Sequence, residues 1–246
     1  MPKKNKGKKE SNDEIVISLD QFAVPGAIVL AGIIIAVAVF LTNKNNTDEV
    51  ETEDTESVAG EETEYTFDDA VTDIGDSPYL GDKETATVAI VEFNEYQCGY
   101  CLRHLEETLP SILTDYVDTG KAIYVFREFA IYGDTAANAA KCVYHLAGVD
   151  AYKEFHTKVF SYESDDDIYE AAKEAGIDED DFDLCYSTRE YQDEVDVDFS
   201  AGENVGIQGT PGFVVGILDE DGNVTGKLIP GAYPYENFQE VIESFL

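Results

Sequence analysis

The stretch that decides the fold runs from Thr87 to Arg103 and reads TVAIVEFNEYQCGYCLR. It begins with a short apolar run, Val88 to Phe93, which predicts a buried β-strand with one acid inside it. Two cysteines, Cys98 and Cys101, follow at the start of a helix-like segment. A pair of thiols at a junction between a strand and a helix predicts a redox-active centre.

The spacing of the two cysteines indicates their chemistry. Residues three apart in a first helical turn share one face, so the sulfurs can close a disulfide with little backbone movement. The unpaired amides of a helix N-terminus stabilise a thiolate, which makes Cys98 the predicted nucleophile and Cys101 the shielded resolving thiol. Half of a zinc site is the alternative, but Cys142 and Cys185 do not form the second close pair that zinc ribbons need. We predict no cofactor and no metal ligand set.

The charge of the chain excludes one class of partner. The 246 residues include 52 acidic and 16 basic side chains, for a formal net charge of −36 at pH 7. Such a chain repels phosphate, so we expect no binding to nucleic acid. An acidic surface of the halophilic kind and an acidic linker would each contribute to this charge, and composition does not separate them.

The N-terminal part predicts a membrane anchor. Residues 1–21 are polar and rich in lysine, and residues 22–41 are 20 uncharged residues, which as a helix span about 30 Å. A cleaved signal peptide is the alternative, because Ala36 to Ala38 resembles a cleavage site, but the apolar run is longer than usual for one. We favour a single-pass anchor with a cytoplasmic N-terminus, since the lysines precede it. The cysteines then face an oxidising compartment.

Two further segments complete the predicted organisation. Residues 42–76 are dominated by Thr, Glu and Asp, which predicts a disordered acidic linker because little apolar surface is available for burial. The folded domain is predicted at residues 77–246. Its later elements are a second strand parallel to the first, a helical insertion, a hairpin and a terminal helix, at 122–129, 134–205, 213–229 and 235–245.

The order of these elements resembles the thioredoxin superfamily, and in particular the DsbA-like branch of extracytoplasmic disulfide oxidoreductases. Val91 to Cys101 looks like the active-site strand and loop of that family, and Val205 to Phe213 looks like its cis-proline loop. The resemblance covers the chain from about Asp76 onward. It implies an α/β thioredoxin fold with a helical insertion between the second strand and the cis-proline loop, here preceded by one transmembrane helix.

The resemblance also assigns roles to three residues. It implies that Pro211 is cis and lies against the disulfide, that Thr210 offers backbone groups to an extended substrate, and that Glu92 is a buried acid below Cys101. Independently, an acid inside an apolar strand is costly to bury, and a raised pKa would suit proton exchange with Cys101. The alternative is that Glu92 reaches solvent at the end of the sheet. We expect Glu95 at the surface.

The dipeptide between the cysteines departs from the family pattern. The family often has proline or histidine there, whereas this chain has Gly99 and Tyr100. Without an imidazole, and with Glu95 nearby, we expect a less stabilised Cys98 thiolate and a less oxidising pair.

The other cysteines and the histidines have more than one interpretation. Outside the cell an even cysteine count favours a structural disulfide between Cys142 and Cys185, although two buried free thiols or a second exchange site are alternatives. His104 could tune Cys98, but we expect it on the solvent face of the helix. We expect His145 and His156 to be packing or surface histidines rather than ligands.

The sequence therefore predicts a membrane-anchored enzyme whose catalytic domain lies outside the cytoplasm. Its Cys98/Cys101 pair would donate disulfides to reduced secreted or surface proteins. The resemblance to the DsbA-like branch implies that a quinone-linked membrane protein would reoxidise the pair. A thiol reductase or isomerase on the same fold is one alternative. A non-catalytic binding ectodomain, in which the cysteine pair is a static crosslink, is the other.

Overall fold

A computed structural model describes residues 65–246 of the chain. The predicted segment 1–21, the predicted anchor 22–41 and the linker up to residue 64 lie outside the described residues. Within residues 65–246, no helix is both long enough and apolar enough to cross a membrane.

The described part is built around one mixed sheet. Its strands are Asp68–Asp73 (β1), Tyr79–Leu80 (β2), Val88–Asn94 (β3), Ala122–Glu128 (β4), Gly212–Leu218 (β5) and Asn223–Ile229 (β6). They lie in the order β1-β6-β5-β3-β4-β2. The pair β3 and β4 is parallel and the other neighbouring pairs are antiparallel. The parallel pair requires a crossover helix, as the sequence predicted.

The crossover helix, α1, changes its winding along its length. It consists of an α-helical segment Gly99–Arg103, a π-helical segment His104–Thr108, an α-helical segment Leu109–Ile112 and a π-helical segment Leu113–Val117. Pro110 lies in the first turn of the third segment. The change of winding matters for the site, because π-helical turns rotate the side chains that follow Cys101.

The predicted helical insertion contains four helices. They are Thr135–Val159 (α2), Asp165–Glu174 (α3), Glu179–Thr188 (α4) and Gln192–Asn204 (α5), and the chain ends with Tyr235–Glu243 (α6). The helix α2 is one element with a break at Gly148. Gly148 has a φ of 81°, a backbone conformation that glycine adopts without a steric penalty.

The boundary predicted between linker and domain is too late in the chain. The strand β1 lies inside the segment 42–76 that was predicted to be disordered, and all six of its residues pair with β6. Its acidic residues hide a period-two pattern in which Ala70 and Thr72 are buried and their neighbours are exposed. Ile74 continues the apolar contact directly after the strand.

The strand β3 lies at the centre of the sheet, and all seven of its residues are buried. Alternate residues face opposite sides of a sheet. Val88 and Ile90 join the core under α1, α2 and α6, whereas Ala89 and Val91 join a second core that includes residues of α5. By this alternation Glu92 faces the α1 side. The loop that follows β3 leads to Cys98.

Candidate active site

Cys98 and Cys101 occupy the first turn of α1. Cys98 is the N-cap, with an extended backbone conformation, and its carbonyl oxygen accepts hydrogen bonds from the amides of Cys101 and Leu102 at 3.1 Å each. Both cysteines are free thiols in the structure. Cys98 is 9% exposed and Cys101 is fully buried, so only Cys98 can meet a second protein.

The surroundings of Cys98 favour its thiolate. Its pKa is lowered to about 5, first by a hydrogen bond from the Cys101 side chain, against which burial acts in the opposite direction. The Thr210 side chain and the amides of Cys101 and Tyr100 lower it further. These donors replace the imidazole that the dipeptide lacks, so the expected weak stabilisation of the thiolate is offset by the helix N-terminus and by the second cysteine.

The loop before β5 lies against Cys98. The antiparallel register pairs Phe93 with Gly212, which brings the residues before β5 beside the loop that follows β3. The Thr210–Pro211 peptide bond is cis. The Thr210 carbonyl oxygen lies 3.1 Å from Sγ of Cys98, where a neutral thiol donates a hydrogen bond to it.

Cys101 has the opposite electrostatic environment. Burial raises its pKa, and the hydrogen bond to Cys98 and the charge of Glu92 act in the same direction. Glu92 is 2% exposed and does not reach solvent at the end of the sheet. Burial raises the pKa of Glu92 to about 8, although the Tyr124 hydroxyl, which donates to Oε2 of Glu92 at 2.8 Å, lowers it.

The prediction that His104 faces solvent is wrong. His104 is 1% exposed, and its Nε2 lies 2.9 Å from the Tyr124 hydroxyl oxygen. Its ring packs between Phe213 and Phe238, at centroid distances of 4.5 and 5.2 Å. The spacing held a usable signal, because His104 is three residues after the buried Cys101 and so lies on the same helical face.

The expectation that Glu95 lies at the surface is also wrong. Glu95 is 3% exposed because the loop after β4 covers it. Its carboxylate accepts hydrogen bonds from the amides of Gln97 and Tyr132, both at 3.0 Å. Burial raises the pKa of Glu95, with these amides acting in the opposite direction and the Cys98 charge adding to the rise.

A second buried acid, Glu128, was not singled out from the sequence. Its carboxylate accepts hydrogen bonds from the hydroxyls of Tyr96 and Tyr152 at 3.1 and 3.2 Å, and from the Asn94 amide at 3.3 Å. Burial raises its pKa to about 8, and the charge of Lys141 lowers it. Asn94 and Tyr96 belong to the loop that leads to Cys98, so Glu128 holds that loop onto the sheet. Glu128 lies at the end of a strand, where charged side chains usually reach solvent, so its burial could not be predicted from the sequence pattern.

An open cleft of about 920 Å³ lies beside the cis-proline loop. Its walls include the loop 205–212, the turn 230–233 and residues 65–69, which precede and begin β1. Tyr100, the second residue of the dipeptide, is 62% exposed at the cleft. Arg103 stacks on the Tyr100 ring and donates a hydrogen bond to the Ala232 carbonyl oxygen at 2.7 Å. Gly99 has open space around its Cα.

Cys142 and Cys185 are joined by a disulfide in the structure. It connects α2 to α4, and its cysteines are 0% and 2% exposed within the main hydrophobic core. The other two histidines lie away from the cysteines. His156 is buried against Tyr96 and Tyr152, and His145 is exposed beside Glu194. Within residues 65–246, no group of three or more His, Cys, Asp or Glu side chains is arranged to hold a metal ion.

Comparison with known proteins agrees with this geometry. The profile of the family described as Thioredoxin matches residues 73–243, which is more than half of the sequence. The chain belongs to the thioredoxin family. "Disulfide bond formation protein D" of Bacillus subtilis (strain 168) is 32% identical over 95 residues, which cover 36% of this chain and 40% of that relative. The match therefore spans about two fifths of the length of that curated relative.

Solved structures place the fold in the DsbA-like branch. BdbD from Bacillus subtilis, in its oxidised form, has a TM-score of 0.61 at 23% identity, covering 73% of this chain and 98% of that chain. The thiol-disulfide exchange protein α-DsbA2 from Wolbachia pipientis has a TM-score of 0.56 at 27% identity, covering 68% of this chain and 86% of that chain. The predicted DsbA-like thioredoxin fold with a helical insertion is confirmed.

Proposed function

We propose that this protein is an extracytoplasmic thiol:disulfide oxidoreductase that donates disulfides to secreted or surface proteins through Cys98 and Cys101. The observation that carries the proposal is the inequality of the two thiols. Cys98 is accessible and has a lowered pKa, whereas Cys101 is buried and has a raised pKa. A stabilised thiolate favours the reduced form of the pair, so the oxidised form passes its disulfide on.

The donation reaction has two exchange steps. A substrate thiolate attacks Sγ of Cys98 in the oxidised pair, and the Cys98–Cys101 bond breaks with its electron pair on Cys101, which takes a proton from Glu92. The second substrate thiolate then attacks the substrate sulfur of the mixed disulfide, and Cys98 leaves as a thiolate. The substrate loses two electrons, and Cys98 and Cys101 gain them.

The cleft and the cis-proline loop support a protein as the substrate. Thr210 presents backbone groups next to Sγ of Cys98, which suits an extended chain that carries a cysteine. The exposed Tyr100 ring offers apolar contact in the cleft that Thr210 and Pro211 also line. In this proposal Thr210 and Pro211 position the substrate, and Cys98, Cys101 and Glu92 carry the chemistry.

The proposal also includes a location and a partner. Residues 22–41 anchor the protein with residues 1–21 in the cytoplasm, residues 42–64 form an acidic tether, and the domain that follows faces the oxidising side. A quinone-linked membrane protein reoxidises the pair. The basis is the charge pattern of the sequence together with the relative named for disulfide bond formation.

Disulfide transfer from the oxidised full-length protein tests the function directly. We expect transfer to a reduced, unfolded protein with two cysteines, no transfer from Cys98→Ser, and an accumulating mixed disulfide with Cys101→Ala. If instead only the reduced protein reacts, and it reduces substrate disulfides, the reductase or isomerase alternative is correct. If neither form reacts, the binding-ectodomain alternative is correct.

A further inference from the structure

Below the cysteine pair, three buried side chains from three different elements form a hydrogen-bonded chain. We infer that Tyr124, oriented by His104, is a positioning residue that stabilises the ionised form of Glu92 and so sets the pH range in which Glu92 exchanges a proton with Cys101. The inference about Cys101 rests on the proposed function. The inference about Glu92 itself does not.

The geometry of the chain is continuous. Glu92 comes from β3, Tyr124 from the parallel neighbour β4, and His104 from the first π-helical segment of α1. The Tyr124 hydroxyl lies 2.8 Å from Oε2 of Glu92 and 2.9 Å from Nε2 of His104. Tyr124 is fully buried, and the other two are at most 2% exposed. Water therefore does not compete for these hydrogen bonds, and each one is electrostatically stronger than it would be at the surface.

The protons of the chain have one arrangement when Glu92 is ionised. A carboxylate only accepts, so the single Tyr124 O–H must donate to Glu92, and the Tyr124 oxygen is then free to accept from His104. Burial lowers the pKa of His104 to about 3, so its ring is neutral and carries one N–H. That N–H belongs on Nε2, facing Tyr124. The remaining lone pair on Nδ1 has no hydrogen-bond partner among the described residues.

The His104 ring is held in the orientation that this arrangement needs. Phe213 and Phe238 pack against it, and the Tyr124 ring stacks on it at a centroid distance of 6.3 Å. The ring therefore fixes the direction of the Tyr124 hydroxyl, because rotation of that hydroxyl away from Glu92 would point it at the Nε2–H. This explains why a histidine with one unpaired nitrogen is kept in the core.

The other titratable groups that face this chain act differently from Tyr124. Burial raises the pKa of Glu92, the Tyr124 hydrogen bond lowers it, and the charge of Cys98 raises it. Cys101, Tyr96 and Tyr152 also lie within the electrostatic reach of Glu92, and His156 lies within that of His104. Tyr124 is the side chain that favours the carboxylate.

The consequence concerns the step in which Cys101 leaves. When the Cys98–Cys101 bond breaks, its electron pair goes to Cys101, the proton of Glu92 moves to that sulfur, and Glu92 is left as a carboxylate. A carboxylate in the core must then persist until it regains a proton. The Tyr124 hydroxyl donates a hydrogen bond that stabilises this carboxylate until the proton returns.

A titration of Glu92 in the reduced full-length protein tests the inference without any redox assay. Glutamate side-chain carboxyl carbons are labelled with carbon-13 and followed by NMR, and the Glu92 signal is the one missing in Glu92→Gln. Burial also raises the pKa of Glu128 to about 8, and the absence of the Glu92 signal in Glu92→Gln distinguishes the two groups. We expect Tyr124→Phe to shift the Glu92 midpoint upward by about one pH unit, because it removes one hydrogen bond to a buried charge.

Matched variants separate positioning from a general effect on packing. Tyr116→Phe is the control for Tyr124→Phe, since Tyr116 is buried and its hydroxyl donates to Glu243 at 3.1 Å, away from the cysteines. His104→Gln keeps an N–H that can reach the Tyr124 oxygen, and we expect it to titrate like the unmodified protein. His104→Leu removes that N–H, and we expect an upward shift smaller than that of Tyr124→Phe. Equal midpoints in Tyr124→Phe and Tyr116→Phe, or equal shifts in His104→Gln and His104→Leu, would overturn the inference.

The disulfide-transfer assay runs in parallel on the same samples. If transfer fails in the unmodified protein while the Glu92 midpoint shifts as expected, the proposed function is wrong and the positioning role stands. If transfer succeeds and the midpoint does not move, the positioning role is wrong and the function stands.

Discussion

The two cysteine pairs of this protein have the same side chains but differ in sequence spacing, exposure and redox state. Cys98 and Cys101 are three residues apart at a helix N-terminus, and one of them, Cys98, is 9% exposed. Cys142 and Cys185 are 43 residues apart, already joined, and sealed in the core between α2 and α4. The surroundings of a cysteine therefore decide whether it exchanges disulfides, through amides that stabilise a thiolate in one case and apolar packing in the other.

The largest expected effect distinguishes the pairs by stability. The chain-entropy model assigns about 4 kcal/mol to a disulfide that closes a loop of this length. We expect Cys142→Ala/Cys185→Ala to lower the free energy of unfolding by about that amount while Cys98 keeps its reactivity. Urea unfolding of the full-length protein measures the first quantity, and alkylation of Cys98 measures the second.

The matched control makes the same double substitution in the other pair. The variant Cys98→Ala/Cys101→Ala is compared with the unmodified protein under mildly reducing conditions. In these conditions Cys98 and Cys101 are reduced, whereas the buried Cys142–Cys185 disulfide persists. At pH 5, where the Cys98 thiolate adds little stability, we expect a much smaller change in stability and complete loss of exchange. Equal losses of stability in the two double variants would contradict a structural role for Cys142 and Cys185.

The next effect concerns the reactivity of Cys98 towards iodoacetamide. We expect its alkylation rate to rise with pH through a midpoint of about 5, because the thiolate is the reactive form. Cys101 should stay unmodified in the folded protein, since it is fully buried. In Cys101→Ala the midpoint should move upward, because the Cys101 side chain is the largest contributor to the lowered pKa.

The same pKa predicts how the stability of the reduced protein depends on pH. The folded pKa of about 5 lies below the ordinary value of 9.0, so the ionised Cys98 adds stability that is complete above pH 9. This contribution falls as the pH falls and is lost below about 5. Unfolding of the reduced protein relative to Cys98→Ala measures it, and a midpoint of alkylation near the ordinary value of 9.0 would contradict both expectations.

The Cys98/Cys101 site and the order of the main elements could be predicted from the sequence, because both depend on patterns within short stretches of chain. The run from Val88 to Phe93 and the spacing of Cys98 and Cys101 determine a strand, a turn and a helix over a short stretch of chain. The predicted DsbA-like fold followed from the order of such local elements. The acids of β1 concealed a strand because its partner, β6, lies more than 140 residues later, and no local signal reports that pairing.

The residues that sequence analysis misplaced are polar side chains buried by distant parts of the chain. Glu95 is covered by the loop after β4, and His104 is enclosed by Phe213 and Phe238. Glu128 is satisfied by two tyrosines, one from the active-site loop and one from α2. A polar residue is buried when partners satisfy it, and those partners are known only once the fold is known. The hydrogen-bonded environment of Cys98 and Cys101 therefore could not be predicted from local sequence patterns.

The smallest effect concerns the proton count of the redox pair. Below pH 5 reduction adds two electrons and two protons, which lowers the reduction potential by about 60 mV per pH unit, whereas above pH 5 Cys98 stays ionised and the slope falls to about 30 mV. The charge of the Cys98 thiolate also raises the pKa of Glu92, so reduction draws an additional fraction of a proton onto Glu92 as the pH approaches 8. We therefore expect the slope to steepen towards pH 8.

Redox titrations in Cys142→Ala/Cys185→Ala, in which only one disulfide can react, measure this slope. Adding Glu92→Gln should keep the slope at about 30 mV per pH unit from pH 6 to 8, because a glutamine binds no proton. A slope of about 60 mV per unit across that whole range, with or without Glu92, would mean that both thiols are protonated on reduction. The Cys98/Cys101 pair would then owe its exchange chemistry to the accessibility of Cys98 alone, and its contrast with the Cys142–Cys185 disulfide would be one of burial rather than of charge.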